Sequence, residues 1–82
     1  DLSHYLDYAT ARRLDAATSQ AIAALEPAAI GDDQASGRIP VKGLLNAARH
    51  HGLGCRVLDL RNSGDTAGPR NQVVGYGAFA FA

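Results

Sequence analysis

Equal numbers of basic and acidic residues, eight of each, leave this 82-residue chain with no formal net charge. Its one adjacent basic pair, Arg12–Arg13, is too small a positive patch to hold a phosphate backbone, which excludes a nucleic-acid partner. A chain of this length buries only about 60% of its unfolded surface. We therefore expect a marginal core that depends on the remainder of a longer protein or on another copy of the chain.

The cysteine count and the lengths of the apolar runs indicate where in the cell the protein is expected. Cys55 is the single cysteine, so no internal disulfide can form, and we expect it to be a small buried side chain on a strand. No charged leader followed by an apolar stretch opens the sequence, and the longest apolar run is about half of what a membrane span needs. The sequence therefore predicts a cytoplasmic protein without a membrane segment.

The first predicted element is an amphipathic helix from about Tyr8 to Leu25. Its apolar face consists of Leu14, Thr18, Ala21, Ile22 and Leu25, spaced as on a 3.6-residue period. Arg12 and Asp15 fall outside that face. Asp7 can cap the N-terminus, and Pro27 lies just past the end.

A connecting loop at Ala28–Gly37, with room for one short helical turn, precedes the second predicted helix. Pro40 suits the first turn of that helix, which spans about twelve residues. Its apolar stripe consists of Val41, Leu44, Leu45 and Ala48, and Gly52 ends it.

Two apolar segments, Cys55–Leu60 and Val73–Phe81, are typical of strands buried on both faces. Two helices followed by two buried strands indicate α/β or α+β architecture, with no domain boundary. Gly75 and Gly77 point to one face of the last strand, so a packed helix or a ligand must come close to it. Packing is the favoured interpretation.

The first candidate site consists of Asp1, Ser3 and His4. A carboxylate beside an imidazole can orient the ring and leave its other nitrogen for a proton or a metal. The alternative is a capping aspartate and a polar loop histidine.

The second candidate site is the segment Ser36–Pro40, which leads into a helix N-terminus. Unpaired N–H groups there favour an anion, although Ser36 and Gly37 could simply cap the helix. The planar guanidinium of Arg38 suits bidentate binding of a carboxylate or phosphate, with a surface ion pair as the equal alternative.

Two further motifs are interpreted structurally. Neighbouring helical residues point about 100° apart, so His50 and His51 are better explained by the helix C-terminus than by a shared metal. The segment 62–72 lacks the lysine of a phosphate-binding loop, and Asp65 would repel phosphate. A turn-rich connection between strands is the favoured interpretation.

The sequences of three segments resemble the Memo family, known in prokaryotes as AmmeMemoRadiSam system protein B. They are Asp1–Tyr5, Ser36–Ala48 and Leu58–Phe81, which together span nearly the whole chain. Members of that family are much longer and are similar to class III extradiol (LigB-type) dioxygenases. The resemblance implies that residues 1–82 are one segment, the C-terminal third of a larger Memo-like α/β domain.

The resemblance also implies a site. The matching Asp and His of the family point into its candidate active-site cleft, so the resemblance makes Asp1 and His4 the candidate catalytic residues, with His4 also a candidate metal ligand. Relatives usually carry cysteine where this chain has Ser36, as a metal ligand beside two upstream histidines. A serine hydroxyl binds transition metals weakly at neutral pH, so we expect weaker metal binding than in relatives with the cysteine.

Two functions follow from the resemblance. The first is a metal-dependent redox or dioxygenase-like protein, in which a non-haem iron, copper or zinc binds the full-length protein and not this segment alone. The second is a non-catalytic protein that binds a peptide or small anion in the same cleft. In both, Arg38 and Ser36 would contact the ligand.

Overall fold

The computed structural model describes residues 1–66 and 68–82 as two helices against a three-stranded antiparallel sheet. The elements are β1 (His4–Leu6), α1 (Tyr8–Ala23), a 3₁₀ turn (Pro27–Ala29), α2 (Arg38–His50), β2 (Cys55–Asn62), a 3₁₀ turn (Ser63–Asp65) and β3 (Val73–Phe81). This arrangement confirms the α/β class. Among the described residues, no helix is both long and apolar enough to cross a membrane.

Helix α1 begins where the sequence predicts, because the Asp7 side chain accepts a hydrogen bond from the Thr10 amide at 3.1 Å. Its buried face differs from the predicted one. Asp15 was expected outside that face, yet only 3% of it is exposed. The prediction was wrong because a carboxylate can be buried when the protein supplies hydrogen-bond donors, which periodicity does not reveal.

Helix α2 begins at Arg38, two residues before the predicted Pro40, with Gly37 as its N-cap residue. Its last residue is His50, and the predicted stop, Gly52, directly follows the C-cap residue His51, with a φ of +69°, a left-handed conformation that favours glycine. The Gly52 amide donates to the Arg49 carbonyl and the Leu53 amide donates to the Ala48 carbonyl, which together form a Schellman motif.

Strand β3 lies at the centre of the sheet, in the order β1-β3-β2. Strand β2 pairs along it from Cys55 opposite Phe81 to Asn62 opposite Gly75, with a shift in register between Val57 and Asp59. The three-residue strand β1 was not predicted, since it is too short to show an alternating pattern.

The core lies between the helices and one face of the sheet. Its members are Ala21, Ile22, Ile30 and Leu45, with Leu25, Val41, Cys55, Phe79 and Phe81 packed against them. The prediction that both long strands are buried was wrong. In β2, Leu58 is 57% exposed and Arg56–Arg61 are exposed throughout, and in β3 only Val73 and Gly75 are buried, while Gly77 and Ala78 are exposed. Helices cover one face of this sheet, and β2 lies at its edge.

The connection from β2 to β3 is rich in turns, as predicted. The Asn62 side chain accepts from the Gly64 amide, and Asp65 accepts from the Asn62 amide, which forms a capping box. Tyr8 anchors the connection to α1, because its hydroxyl donates to Asp65 and its amide to the Arg70 carbonyl. Ala67, in the same predicted connection, lies outside the described residues.

Candidate functional site

The fold brings Asp1, His4 and Ser36 together from two distant parts of the sequence. Asp1 Oδ2 lies 3.9 Å from His4 Nε2, and both side chains are exposed. The Ser36 amide and hydroxyl both face the Asp1 carbonyl oxygen, at 3.1 and 3.3 Å. Ser36 therefore holds the Asp1 backbone rather than capping α2, and the carboxylate and imidazole remain accessible to a ligand.

A buried contact fixes Ser3, which lies between Asp1 and His4. The Ser3 amide donates to Asp15 Oδ1 at 3.0 Å, and Ser3 is fully buried. In the described part of the chain, the Ser3 hydroxyl has no hydrogen-bond partner. Since Asp15 lies on α1, this bond ties the site segment to the core.

Gly75 makes the close approach of Asp15 possible. A Cβ added at Gly75 would lie 2.6 Å from Asp15 Cγ, and nearer still to Oδ2. The prediction that this glycine serves packing is confirmed. Gly77 has a different neighbour, since its added Cβ would meet the ring of Phe79 at 3.0 Å.

Arg38 forms an ion pair with Asp32, with Nε 3.4 Å from Oδ1. Asp32 is almost fully exposed, so the pair is weakened by solvent and salt and contributes little to stability. An incoming anion could replace Asp32 at low cost. Arg38 thus adopts the predicted surface ion pair in this structure.

The side chains of this site form an incomplete set of metal ligands. Asp1 and His4 are of the kinds that non-haem metals take, whereas catalytic metals usually have three protein ligands. Within residues 1–66 and 68–82, no three side chains of His, Cys, Asp or Glu lie close enough to hold an ion. Further ligands would have to come from outside these residues.

A largely apolar cavity of about 210 Å³ opens beside Asp1. It lies between β3 and the segment that leads into α2. Its lining is Asp1, Leu2, Ile22, Ala35, Gly37, Val41, Leu44, Gly77, Phe79 and Phe81.

A second cavity of about 130 Å³ lies between α1 and the end of β2, and most of its lining residues are polar, among them the buried Asp15 and Asn62. Nearby, the hydrogen bond from Tyr8 holds the pKa of Asp65 below its ordinary value and raises the pKa of Tyr8. Arg70 stacks 4.2 Å from the Tyr8 ring centroid. These contacts fasten the β2–β3 connection.

His50 and His51 lie at the exposed end of α2, with their ring centroids 5.2 Å apart and the rings nearly perpendicular. Their position at the helix C-terminus agrees with the structural interpretation. Cys55 is half-buried, and burial raises the pKa of its thiol, which lowers its reactivity.

No sequence motif indicated directly that Asp15 supports the site. The available signal was Gly75, a small residue in a strand that otherwise favours bulky side chains, together with Asp15, a charged residue on an amphipathic helix. Only the three-dimensional structure pairs the two.

Comparison with known proteins bears on the family of this chain. No protein-family model matches the sequence, and no solved structure matches it. A MEMO1 family protein of Aeropyrum pernix is 36% identical over 84 residues, which cover 95% of this chain and 30% of the relative. The chain therefore spans less than a third of the length of that relative. Over nearly all of its 82 residues, this chain is a homologue of a Memo-family protein.

Proposed function

We propose that this chain supplies one wall of a reactive cleft in a longer, metal-dependent redox or dioxygenase-like Memo-family protein. The convergence of Asp1, His4 and Ser36 supports this proposal, because it gathers an accessible carboxylate and imidazole at one point. In the cleft, Asp1 orients the imidazole of His4, which holds or transfers a proton. Ser36 keeps the Asp1 backbone in place.

A metal bound in the complete cleft would supply Lewis-acid or redox chemistry. His4 and Asp1 are the residues of this chain that would face it, with the remaining ligands contributed from elsewhere. Replacement of the family cysteine by Ser36 removes a soft thiolate donor, so we expect metal affinity below that of a cysteine variant.

The test is metal content of the complete gene product after dialysis against zinc, copper or ferrous iron. His4→Ala should lower the affinity at least tenfold, whereas the matched control His50→Ala, at an exposed histidine away from the site, should not. Ser36→Cys should raise the affinity. Equal metal content in His4→Ala and His50→Ala would refute the proposed metal role of His4.

A second function is favoured by the weak pairing of Arg38. Its solvent-exposed partner Asp32 can yield to a carboxylate or phosphate, which would suit a non-catalytic protein that binds a small anion or a peptide C-terminus. In that case Arg38 is the anchor and Ser36 the neighbouring hydroxyl.

Titration with inorganic phosphate and with acetyl-trialanine tests this second function. Arg38→Ala should weaken binding at least tenfold, while Arg56→Ala, an exposed arginine on β2, should leave it unchanged. If the two variants bind equally well, Arg38 is not an anchor.

A further inference from the structure

The second cavity, between α1 and the end of β2, contains a buried charge that is only partly compensated. Asp15 lines this cavity, and only 3% of the residue is exposed. Its Oδ1 accepts a hydrogen bond from the Ser3 amide at 3.0 Å, whereas in the described residues no group donates to Oδ2. Burial of a carboxylate is costly unless hydrogen-bond donors or a cation compensate its charge. Asp15 therefore has an acceptor oxygen that the described part of the chain leaves for a ligand.

The other carboxylate at this cavity already has two donors. Asp65 accepts from the Tyr8 hydroxyl through one oxygen and from the Asn62 amide through the other, at 3.0 Å. The buried side chain of Asn62 also lines the cavity, and its Oδ1 accepts from the Gly64 amide. A cationic group that enters the cavity would therefore find its acceptor at Asp15.

Two arginines line the same cavity, and their pairing differs. Arg61 pairs with Asp59, with Nε 2.9 Å from Oδ1. Within residues 1–66 and 68–82, Arg12 forms no ion pair, and its guanidinium lies 5.8 Å from the centroid of the Tyr8 ring. A guanidinium without a carboxylate partner keeps its parallel N–H donors for an anion. Arg12 is thus the cation of this wall that can bind an incoming carboxylate.

Helix geometry places the charges of Arg12 and Asp15 side by side. The two residues are three positions apart on α1, so their Cβ atoms are about 5–6 Å apart on one face of the helix. Asp15 is buried and Arg12 is exposed, so the negative charge lies at the floor of the cavity and the positive charge at its mouth. The volume of about 130 Å³ is many times the roughly 10–15 Å³ that one water molecule requires, which leaves room for a small molecule.

We propose that the second cavity binds a small zwitterion of the α-amino acid type, with its ammonium group at Asp15 and its carboxylate at Arg12. Both charged groups of an α-amino acid are attached to the same carbon atom, so one small molecule reaches two side chains that stand side by side on a helix. The ammonium group supplies the donors that Asp15 lacks, and the planar guanidinium of Arg12 suits a carboxylate. The volume favours a ligand of the size of glycine or alanine.

A zwitterion fits this cavity better than an ion of one sign. A simple cation at Asp15 would be repelled by Arg12 and Arg61, which line the same cavity. A simple anion at Arg12 would come close to the buried charge of Asp15 and leave that charge uncompensated. The zwitterion brings an opposite charge to each of the two side chains.

Isothermal titration of the complete gene product with glycine tests the proposal. Arg12→Gln should weaken glycine binding at least tenfold, whereas Arg13→Gln, at the adjacent arginine outside the cavity lining, should leave it unchanged. Arg12 is exposed, so its substitution leaves the fold intact. Methylammonium and acetate each carry one of the two charges and should each bind at least tenfold more weakly than glycine. Equal affinity of the two arginine variants, tight binding of either single ion, or no binding at tens of millimolar glycine would overturn the proposal.

Two further measurements place the bound glycine in this cavity. The NMR signal of the Ser3 amide should shift as glycine is added, because that amide donates to the Asp15 carboxylate. Arg38→Ala should leave glycine binding unchanged, which separates this cavity from the anion site proposed at Arg38. An unmoved Ser3 signal, or loss of glycine binding in Arg38→Ala, would show that glycine binds elsewhere and would refute the assignment to Asp15.

Discussion

The contact between Gly75 and Asp15 is where this chain is most sensitive to a single methyl group. In Gly75→Ala the added Cβ overlaps the Asp15 carboxylate, at 2.6 Å from Cγ. Asp15 is buried and bonded to the Ser3 amide, so withdrawal of the carboxylate from the methyl group would break that bond. Either the helix and sheet separate or the hydrogen bond breaks.

Both outcomes are costly. Overpacking typically costs about 1–3 kcal/mol. Loss of a hydrogen bond to a charged group costs about 1.5–3 kcal/mol, because the buried partners are then unsatisfied. Separation of the helix from the sheet and loss of the hydrogen bond relieve the same clash, so their costs do not add in full. We therefore expect the free energy of unfolding to fall by about 3 kcal/mol. For a chain of this size that is a large fraction of the total.

Urea unfolding followed by circular dichroism measures the loss, with Gly43→Ala as the matched control. Gly43 has open space around its Cβ position on α2, so alanine there should stabilise by about 0.5–1 kcal/mol. The double variant Gly75→Ala/Asp15→Ala should be no less stable than Asp15→Ala alone, because removing the carboxylate makes room for the methyl group. A Gly75→Ala variant within about 0.5 kcal/mol of the parent would refute this packing argument.

Three further predictions concern the helix end, the β2–β3 connection and the thiol. Gly52→Ala should lower stability by about 1 kcal/mol in urea unfolding, since the left-handed φ of +69° strains any residue with a Cβ; no change would mean the helix end refolds freely. The lowered pKa of Asp65 stabilises the fold above the ordinary pKa of the carboxyl and is lost as pH falls through the folded value, whereas the raised pKa of Tyr8 stabilises below about pH 10 and is lost as pH rises further. Tyr8→Phe should therefore flatten the pH dependence of the urea midpoint at both extremes, and an unchanged profile would contradict the pairing. Cys55 should react with iodoacetamide at pH 8 more slowly in the folded chain than in urea, because burial raises the pKa of its thiol; equal rates would contradict that burial.

Much of the fold could be predicted because local rules set it. Asp7 and Gly52 mark helix ends through their own side-chain or backbone chemistry, so the local sequence is enough to predict those ends. The exposure of β2 could not be predicted in this way, because a run of Val and Leu looks the same at the edge of a sheet as at its centre. The partner of Asp15 was also hidden, since that contact joins residues 60 positions apart.

The candidate site likewise combines a contact between residues close in sequence with one between residues far apart in sequence. Asp1 and His4 are three positions apart, so their proximity follows from the sequence, whereas the bond from Ser36 to Asp1 spans 35 positions and required the fold. The family resemblance supplied that third residue in place of geometry. It did not predict the pairing of Arg38 with Asp32, which depends on the loop before α2.

Ser3 connects the stability of the core to the geometry of the site. It lies between Asp1 and His4, and its amide is held by the same Asp15 carboxylate that packs on Gly75. Displacing that carboxylate frees the segment that carries both candidate catalytic residues. Gly75→Ala should therefore shift the NMR signals of the His4 ring, whereas Gly43→Ala, remote from this contact, should leave them in place. If His4 is unmoved in a Gly75→Ala variant that has lost stability, the core and the site are independent, and the buried carboxylate serves packing alone.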